Sequence, residues 1–282
     1  MSSRATAYIA EPQLFVEHIK PEIGSRILNS KAELLSGALA GDIRRLLEER
    51  GVLVFPQIGF TGDEQVAFTR TLGDYAPDTP DGSALKLSYD PDTNASSEYL
   101  KGSFFWHFDG YMNDVPILAS ILCAKILSPT GGETEFCNTY AAHEALPDER
   151  KRQIEVLRAV HALAAAQLSV EPEPSYASFR QWRAIPHREL PLVWTHRSGR
   201  KSLVIGNSAV NIFGMDPLDG LDLLIWLRDW ATQDRFRYRH SWSTGDVVMW
   251  DNTGTLHRAR PYPLDSGRLM HRTKLAGEEP FA

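Results

Sequence analysis

The chain has 282 residues, of which 43% are hydrophobic and 23% are charged, and its net charge is −6. These values are ordinary for a globular protein, and the acidic balance predicts no nucleic-acid partner and no anionic membrane partner. No apolar run approaches the roughly 20 residues of a membrane-spanning helix, and the first residues lack the apolar core of a signal peptide, so we expect a cytoplasmic protein. Its two cysteines, Cys123 and Cys137, are expected to be reduced thiols in the core.

The first third of the chain predicts two helices with a short strand between them. A helix is expected over residues 30–50, with Ser30 as its cap and Gly51 just beyond its end. Residues 52–55 form an apolar run that is typical of a buried strand. A Thr-Gly-Asp-Glu capping box then predicts a second helix over residues 61–72.

Two long segments rich in proline and other turn residues interrupt the middle of the chain. Residues 74–103 and 168–191 are predicted to be irregular loops that act as lids over a binding site. Between them, residues 117–126 and 133–137 predict strands, and residues 147–163 predict a helix.

The last third of the chain predicts mostly strands. Residues 192–205 are expected to form a hairpin, and residues 216–231 are expected to form a helix. Residues 235–242 and 246–250 predict further strands, and the region to residue 274 predicts another. Aromatic side chains and arginines alternate strictly in the first of these strands, which is typical of a strand with one buried and one solvated face.

The order of the elements predicts a mainly β fold with flanking helices, of the α+β class. Alternating β-α-β units and the glycine-rich loops of nucleotide-binding folds are missing from the sequence. Many short strands separated by turns instead favour two packed antiparallel sheets, which is a jelly roll. We expect a single domain over residues 1–282, with a helical N-terminal part and the two lid loops.

An aromatic segment, Phe-Phe-Trp-His-Phe-Asp-Gly, holds two candidate metal ligands, His107 and Asp109. On a strand, side chains two residues apart point to the same face, so these two would lie side by side. His257, far down the chain, would complete a 2-His-1-carboxylate triad, which leaves three positions open on Fe(II). Phe105 shares this face, and Tyr111 does so if the strand continues.

Three functions are compatible with these ligands. The first is an iron oxygenase, and the second is a jelly-roll protein that binds a metal or another ligand without redox turnover. The third is a zinc hydrolase with the same triad, although no obvious general base stands near the motif. A histidine considered alone is more often a surface or core residue than a ligand, so the other polar groups must decide.

Three blocks of polar and aromatic residues occur in order along the chain. They are Trp106-His107-x-Asp109, then Ser128-Pro129-x-Gly131-Gly132-Glu133-Thr134-Glu135-Phe136, then Gly245-Asp246-x-x-x-Trp250-Asp251-Asn252 leading to His257-Arg258 and Arg268-x-x-x-Arg272. Together they resemble the taurine/dichlorophenoxyacetate dioxygenase family of Fe(II)/2-oxoglutarate enzymes. The resemblance covers about residues 12 to 275 and implies a double-stranded β-helix, a form of jelly roll. Family members often self-associate, so a homo-oligomer is one alternative, and the sequence leaves the oligomeric state open.

The resemblance implies a role for five residues around the cofactors. His107, Asp109 and His257 are implied as the ligands of Fe(II). Thr134 and Arg268 are implied as the clamp on the distal carboxylate of 2-oxoglutarate. The chemistry is suitable, because a planar guanidinium can hold a carboxylate through two hydrogen bonds and a hydroxyl can donate one more.

The implied reaction consumes 2-oxoglutarate and O2, releases succinate and CO2, and hydroxylates a substrate, with or without cleavage of a bond. Related halogenases carry a small residue in place of Asp109, so the carboxylate favours oxygenation. Arg272 is implied as a residue that binds the acidic group of the substrate, and the alternative is that it supports the iron site. No histidine lies between His18 and His107, where taurine-cleaving members carry one that contacts the sulfonate.

The aromatic residues near the ligands suggest what the substrate is. Phe105 and Tyr111 are expected to line the substrate pocket, and both are large aromatic side chains. The missing histidine makes taurine a poor candidate, and the aromatic side chains predict a larger, partly apolar organic acid.

Overall fold

The computed structural model describes residues 12–94 and 97–281. The strands are β1 (Val16–His18), β2 (Ser25–Ile27), β3 (Val52–Phe55), β4 (Leu85–Leu87), β5 (Ala119–Ile126), β6 (Thr134–Asn138), β7 (Arg158–His161), β8 (Arg188–Pro191), β9 (Val193–Thr195), β10 (Lys201–Leu203), β11 (Ala209–Ile212), β12 (Arg237–His240), β13 (Val247–Asp251), β14 (Thr255–Ala259) and β15 (Leu269–Leu275). The helices are α1 (Lys31–Leu35), α2 (Ala40–Arg50), α3 (Gly62–Leu72), α4 (Thr139–Glu144), α5 (Asp148–Ile154), α6 (Leu163–Val170), α7 (Tyr176–Arg183) and α8 (Pro217–Ala231). Two 3₁₀ helices cover Ser97–Phe104 and Asp234–Phe236.

The helices at the start of the chain follow their capping signals. Ser30 and Thr61 both form the reciprocal hydrogen bonds of a capping box, and Gly51 ends α2 with a φ of 71°. The prediction of a single helix over residues 30–50 is wrong, because residues 36–39 are not helical and separate α1 from α2. Gly37 there has a φ of 77°, a conformation that ends a helix and that glycine adopts without strain.

A seven-stranded sheet in the order β1-β2-β3-β13-β5-β15-β4 forms one wall of the fold. Its pairs are antiparallel except for β2 and β3, which run parallel. Alternate side chains of β3, β5 and β13 face α1, α2 and α3, which cover the outer side of this sheet. This helical layer buries apolar residues such as Leu34, Phe55 and Phe68.

The other face of the large sheet packs against a three-stranded sheet in the order β12-β6-β14. Phe136 and Tyr238 of the small sheet meet Val54, Val248 and Trp250 of the large one. Two antiparallel sheets that enclose an apolar core in this way form a double-stranded β-helix. The predicted mainly β fold with flanking helices is therefore confirmed.

A third layer covers the outer side of the small sheet. It contains the β11-β7-β8 sheet, the β9-β10 hairpin and the helices α4 and α8, which share one apolar cluster with β6 and β14. Trp194, Leu227 and Phe236 are almost completely buried in this cluster. The layer anchors the segment from residue 106 to residue 108 from behind, since Trp106 and Phe108 belong to the same cluster.

Three predicted segments differ from the structure. Residues 74–103 contain β4 and most of a 3₁₀ helix, and residues 168–191 contain the end of α6, all of α7 and β8, so neither is an irregular loop. The prolines of the second segment all lie outside α7, so they break none of its hydrogen bonds. The helix predicted over residues 147–163 ends at residue 154, because residues 158–161 pair with β8 and β11 as strand β7.

The two cysteines are free and buried, as predicted. Burial raises the pKa of both thiols, which keeps them protonated and unreactive. Within residues 12–94 and 97–281, no helix is long and apolar enough to cross a membrane.

Candidate active site

His107 and His257 are joined to each other through their backbones. The amide of His107 donates to the carbonyl of His257 over 3.1 Å, and the amide of His257 donates to the carbonyl of His107 over 2.8 Å. The pair is an isolated bridge, so His107 does not lie on the regular strand that was considered as the way to place it beside Asp109. The two imidazole rings nevertheless lie together, with their centroids 4.1 Å apart.

The carboxylate of Asp109 lies between the two imidazoles. His107 Nε2 is 3.7 Å from Asp109 Oδ1, and His257 Nε2 is 3.8 Å from Asp109 Oδ2. One ligand atom from each of the three residues lies within 4.8 Å of the other two. The structure therefore brings together the three candidate ligands that the sequence suggested, in the donor set of a facial triad.

Hydrogen bonding selects the tautomer of His107. Its Nδ1 lies 2.8 Å from the carbonyl oxygen of Phe105, and a carbonyl can only accept a hydrogen bond. Nδ1 therefore carries the proton, and the lone pair of Nε2 points towards Asp109. This is the usual way in which a protein orients a histidine that binds a metal.

Two residues without a predicted role position Asp109. The amide of Asp109 donates to Asn252 Oδ1 over 2.8 Å, and Asn252 Nδ2 donates to the carbonyl of Asp109 over 2.5 Å. Ser120 Oγ approaches Asp109 Oδ2 at 3.4 Å. The Trp-Asp-Asn motif marked Asn252 in the sequence, but only the structure connects it with a residue so far away along the chain.

The charges of the site favour metal binding. Burial alone would raise the pKa of Asp109, but His257, His107 and Arg272 outweigh it and lower the pKa to about 2. Burial disfavours the charged form of His257, and together with His107 it lowers the pKa of His257 to about 3. An ionised carboxylate and a neutral imidazole are the forms that bind a metal ion.

Arg268 is a buried cation beside the start of β6. Its side chain contacts the carbonyl oxygen of Gly132 at 3.4 Å and covers the ring of Tyr262 at 4.7 Å. Among the residues that the structure describes, no carboxylate pairs with Arg268. Thr134 follows two residues after Gly132, which Arg268 contacts. Its Oγ1 accepts a hydrogen bond from Trp242 over 3.0 Å, so its own hydroxyl proton remains available.

Arg272 lies between the triad and a second carboxylate. Its Nη1 is 4.0 Å from Asp109 Oδ2, and its Nη2 is 3.0 Å from Asp78 Oδ2. Arg272 thus lies beside the candidate metal ligand Asp109. Asp78 belongs to the first predicted lid, and it accepts a hydrogen bond from one of the nitrogens of Arg272.

The two aromatic residues expected in the substrate pocket lie in different places. Phe105 is partly exposed and lines a cavity that Trp106 and Arg258 also border. The chain turns at Gly110, where φ is 83°, so no strand continues to Tyr111. Tyr111 packs instead against Phe108 in the apolar cluster behind the ligands, and its expected place on the ligand face is corrected.

A double-stranded β-helix that presents two histidines and one aspartate at this position defines a class of metal-dependent oxygenases. Residues 16–274 match the family described as taurine catabolism dioxygenase TauD, TfdA family. The chain belongs to this dioxygenase family.

Two curated relatives are named for their action on aryloxy acids. The alpha-ketoglutarate-dependent 2,4-dichlorophenoxyacetate dioxygenase of Cupriavidus pinatubonensis is 36% identical over 264 residues, which cover 85% of this chain and 89% of the relative. The (S)-phenoxypropionate/alpha-ketoglutarate-dioxygenase of Sphingobium herbicidovorans is 31% identical over 281 residues, which cover 95% and 96%. Alpha-ketoglutarate is 2-oxoglutarate. The chain is therefore a 2-oxoglutarate-dependent dioxygenase, and the alternative of a binding protein without redox turnover is not supported.

A solved structure is similar over nearly the whole chain. It is AAD-2 in complex with Mn(II) and N-oxalylglycine, with a TM-score of 0.81 and 29% sequence identity. The similarity covers 96% of this chain and 100% of that one.

Proposed function

We propose that the protein binds Fe(II) at His107, Asp109 and His257 and uses O2 and 2-oxoglutarate to hydroxylate a small, partly apolar organic acid. The observation that carries this proposal is the convergence of two imidazole nitrogens and one carboxylate within 4.8 Å. The relatives named for phenoxy acids support an aryloxy acid as the class of substrate.

The donor set fits Fe(II). Two neutral imidazoles and one ionised carboxylate are the ligands that non-haem Fe(II) oxygenases use, and they leave open positions for other ligands. When bound, Fe(II) together with 2-oxoglutarate supplies the reduction of O2 that drives hydroxylation, with release of succinate and CO2. Asn252 holds the backbone of Asp109 in place, so the carboxylate is oriented before the metal arrives.

Arg268 and Thr134 would hold the distal carboxylate of 2-oxoglutarate. A buried guanidinium without an acidic partner is unfavourable in the absence of an anion, so this position favours a carboxylate ligand. The hydroxyl of Thr134 can donate one further hydrogen bond. Tyr89, Phe104 and Tyr262 form an aromatic group next to this position and limit the access of water.

The substrate would place its acid group at Arg272 and its apolar part near Phe105. Arg272 lies at the metal ligands and keeps donors that the protein does not use, because the buried Nε has no partner among the described residues. Phe105 offers an exposed aromatic face two residues before His107. An acid group held at Arg272 would fix which carbon of the substrate faces the iron.

A spectroscopic titration tests the proposal. Fe(II) and then 2-oxoglutarate are added to the protein without oxygen, and we expect a weak visible charge-transfer band that His257→Ala abolishes. Absence of the band in the wild-type protein would refute bidentate binding of 2-oxoglutarate to iron at this site. After oxygen is admitted, release of succinate identifies the substrates among a series of aryloxy and alkyl acids.

A further inference from the structure

Asp78 forms ion pairs with two cations of β15. Its Oδ2 lies 3.0 Å from Arg272 Nη2, and its Oδ1 contacts the ammonium group of Lys274. The three side chains are only 17–23% exposed, so water screens these pairs less than it screens pairs on the surface. Asp78 comes from the segment between α3 and the metal ligands, which the sequence suggested as a lid.

The two cations face the metal site. Arg272 and Lys274 are two residues apart on β15, so their side chains leave the same face of the strand. Met270 lies on this face as well and belongs to the core between the two sheets. Arg272 also lies within 4.0 Å of Asp109, so the pair borders the position of the iron.

The two cations can bind more than Asp78. A guanidinium has five N–H donors and an ammonium group has three. Arg272 gives one nitrogen, Nη2, to Asp78, while its Nε is buried without a partner among residues 12–94 and 97–281. Two neighbouring cations with spare donors form a site for a carboxylate, and Asp78 partly fills it.

We infer that Asp78 is a specificity-determining residue, an internal carboxylate that competes with the acid group of the substrate for Arg272 and Lys274. This inference rests on the proposed function, because it takes the substrate to be an organic acid. A second carboxylate at these cations is repelled by Asp78 or must displace it. Small acids therefore bind poorly, and acids whose apolar part adds contacts elsewhere overcome the competition.

The ion pairs of Asp78 also attach a chain segment to the large sheet. Its ion pairs tie the start of the segment 74–103 to β15, and this segment leads directly into the ligands His107 and Asp109. An acid that displaces Asp78 releases that tie. Recognition of the acid group is thus coupled to the chain segment that borders the site.

Calorimetry with matched probes tests the inference. The protein loaded with Mn(II) and 2-oxoglutarate is titrated with phenoxyacetate, with its neutral analogue phenoxyacetamide and with acetate. We expect Asp78→Asn to lower the Kd of phenoxyacetate about ten-fold, to leave phenoxyacetamide unchanged, and to make binding of acetate measurable. Asp81→Asn is the matched control, because Asp81 lies exposed in the same segment and accepts hydrogen bonds from Ser83 of that segment. This control should change none of the three affinities.

Two further variants keep the result decisive. Asp78→Ser also removes the charge and should reproduce the tighter binding if Asp78→Asn misfolds. Lys274→Gln removes one of the two cations and should weaken phenoxyacetate more than phenoxyacetamide.

An unchanged or higher Kd of phenoxyacetate in Asp78→Asn would overturn the inference, since Asp78 would then only orient Arg272. The inference would also be overturned if the wild-type protein and Asp78→Asn each bound phenoxyacetate and phenoxyacetamide with the same Kd. Arg272 and Lys274 would then not bind the acid group of the ligand. Failure of the proposed function appears separately, as a lack of succinate release with 2-oxoglutarate, and leaves the binding comparison valid.

Discussion

The side chain of Asn252 holds the backbone of Asp109 through two hydrogen bonds, one to its amide and one to its carbonyl. Asn252 is almost completely buried, and it follows β13 of the large sheet. A residue at the end of the large sheet therefore holds Asp109 in place, although Asp109 itself lies on an irregular segment.

Replacement of Asn252 with alanine should weaken metal binding. The loss leaves two buried backbone groups of Asp109 without partners, which destabilises the fold by about 1–3 kcal/mol. We expect the affinity for Mn(II) to fall about 10–100-fold, as happens when partners that orient a ligand are removed. Titration followed by the paramagnetic signal of free Mn(II) measures this, with the exposed Asn113→Ala as the control. Unchanged affinity would mean that Asp109 keeps its orientation without Asn252.

Arg268 offers the sharpest test of the cosubstrate. Arg268→Ala should raise the concentration of 2-oxoglutarate needed for half-maximal succinate release about 100-fold, because a buried charge-assisted pair is lost. Binding of Mn(II) alone should not change, since the triad remains intact. Arg152→Ala removes an exposed arginine from α5 and serves as the control. If the requirement for 2-oxoglutarate stayed the same, the cosubstrate would bind elsewhere.

A substitution of Arg272 distinguishes the two roles that the sequence left open for it, which are binding the acid group of the substrate and supporting the iron site. If it binds the acid group of the substrate, Arg272→Gln should raise the KM for phenoxyacetate at least ten-fold and leave the anaerobic 2-oxoglutarate band intact. If it supports the iron site, the band should weaken along with activity. We expect the first result, because the 4.0 Å contact with Asp109 is longer than a hydrogen bond.

How far the sequence predicts this protein depends on how local each signal is. The helix caps predicted at Ser30 and Thr61 act within four residues, and both appear in the structure as capping boxes. The argument that placed His107 and Asp109 together used a strand that does not exist. The backbone bridge between His107 and β14 is what brings His257 to these two residues, and it is a contact between distant parts of the chain that periodicity does not encode.

The same limit applies to the surroundings of the site. The resemblance to the dioxygenase family implied the roles of Thr134, Arg268 and Arg272, and their side-chain chemistry suits those roles. Nothing in the sequence indicated that Asp78 pairs with Arg272, since an aspartate in a proline-rich segment is usually a turn residue. Such pairings depend on where the segment packs, and that depends on the tertiary structure.

Glu135 should make the stability of the fold depend on acid pH. Its side chain is completely buried between Arg239 and Arg258, with a 2.7 Å contact to each. Burial opposes its ionisation, but the two guanidinium groups outweigh it, so the native pKa of Glu135 lies below its usual value. This carboxylate therefore stabilises the fold above its unfolded pKa of about 4.3, and the contribution is lost as the pH falls through the lower native pKa.

Urea unfolding at pH 7 and at pH 3 measures this contribution. Glu135→Gln should lower the free energy of unfolding at pH 7 by about 3 kcal/mol, because two cations lose their buried partner. It should also reduce the difference in stability between the two pH values. The exposed Glu149→Gln should change neither quantity. An unchanged difference between the pH values in Glu135→Gln would assign the acid sensitivity to other carboxylates.

Gly254 and Gly41 should respond to alanine in opposite directions. A Cβ atom at Gly254 would lie 1.8 Å from the ring of Tyr140, which is buried and bonded to Asp251 and Thr253. These hydrogen bonds hold the ring in place, so Gly254→Ala should lower the free energy of unfolding by about 3 kcal/mol. A Cβ at Gly41, exposed on α2, meets nothing within 4 Å, and Gly41→Ala should raise the stability by about 0.5–1 kcal/mol. Thermal unfolding of both variants measures the contrast, and equal shifts would show that the loop at Gly254 can move away from Tyr140.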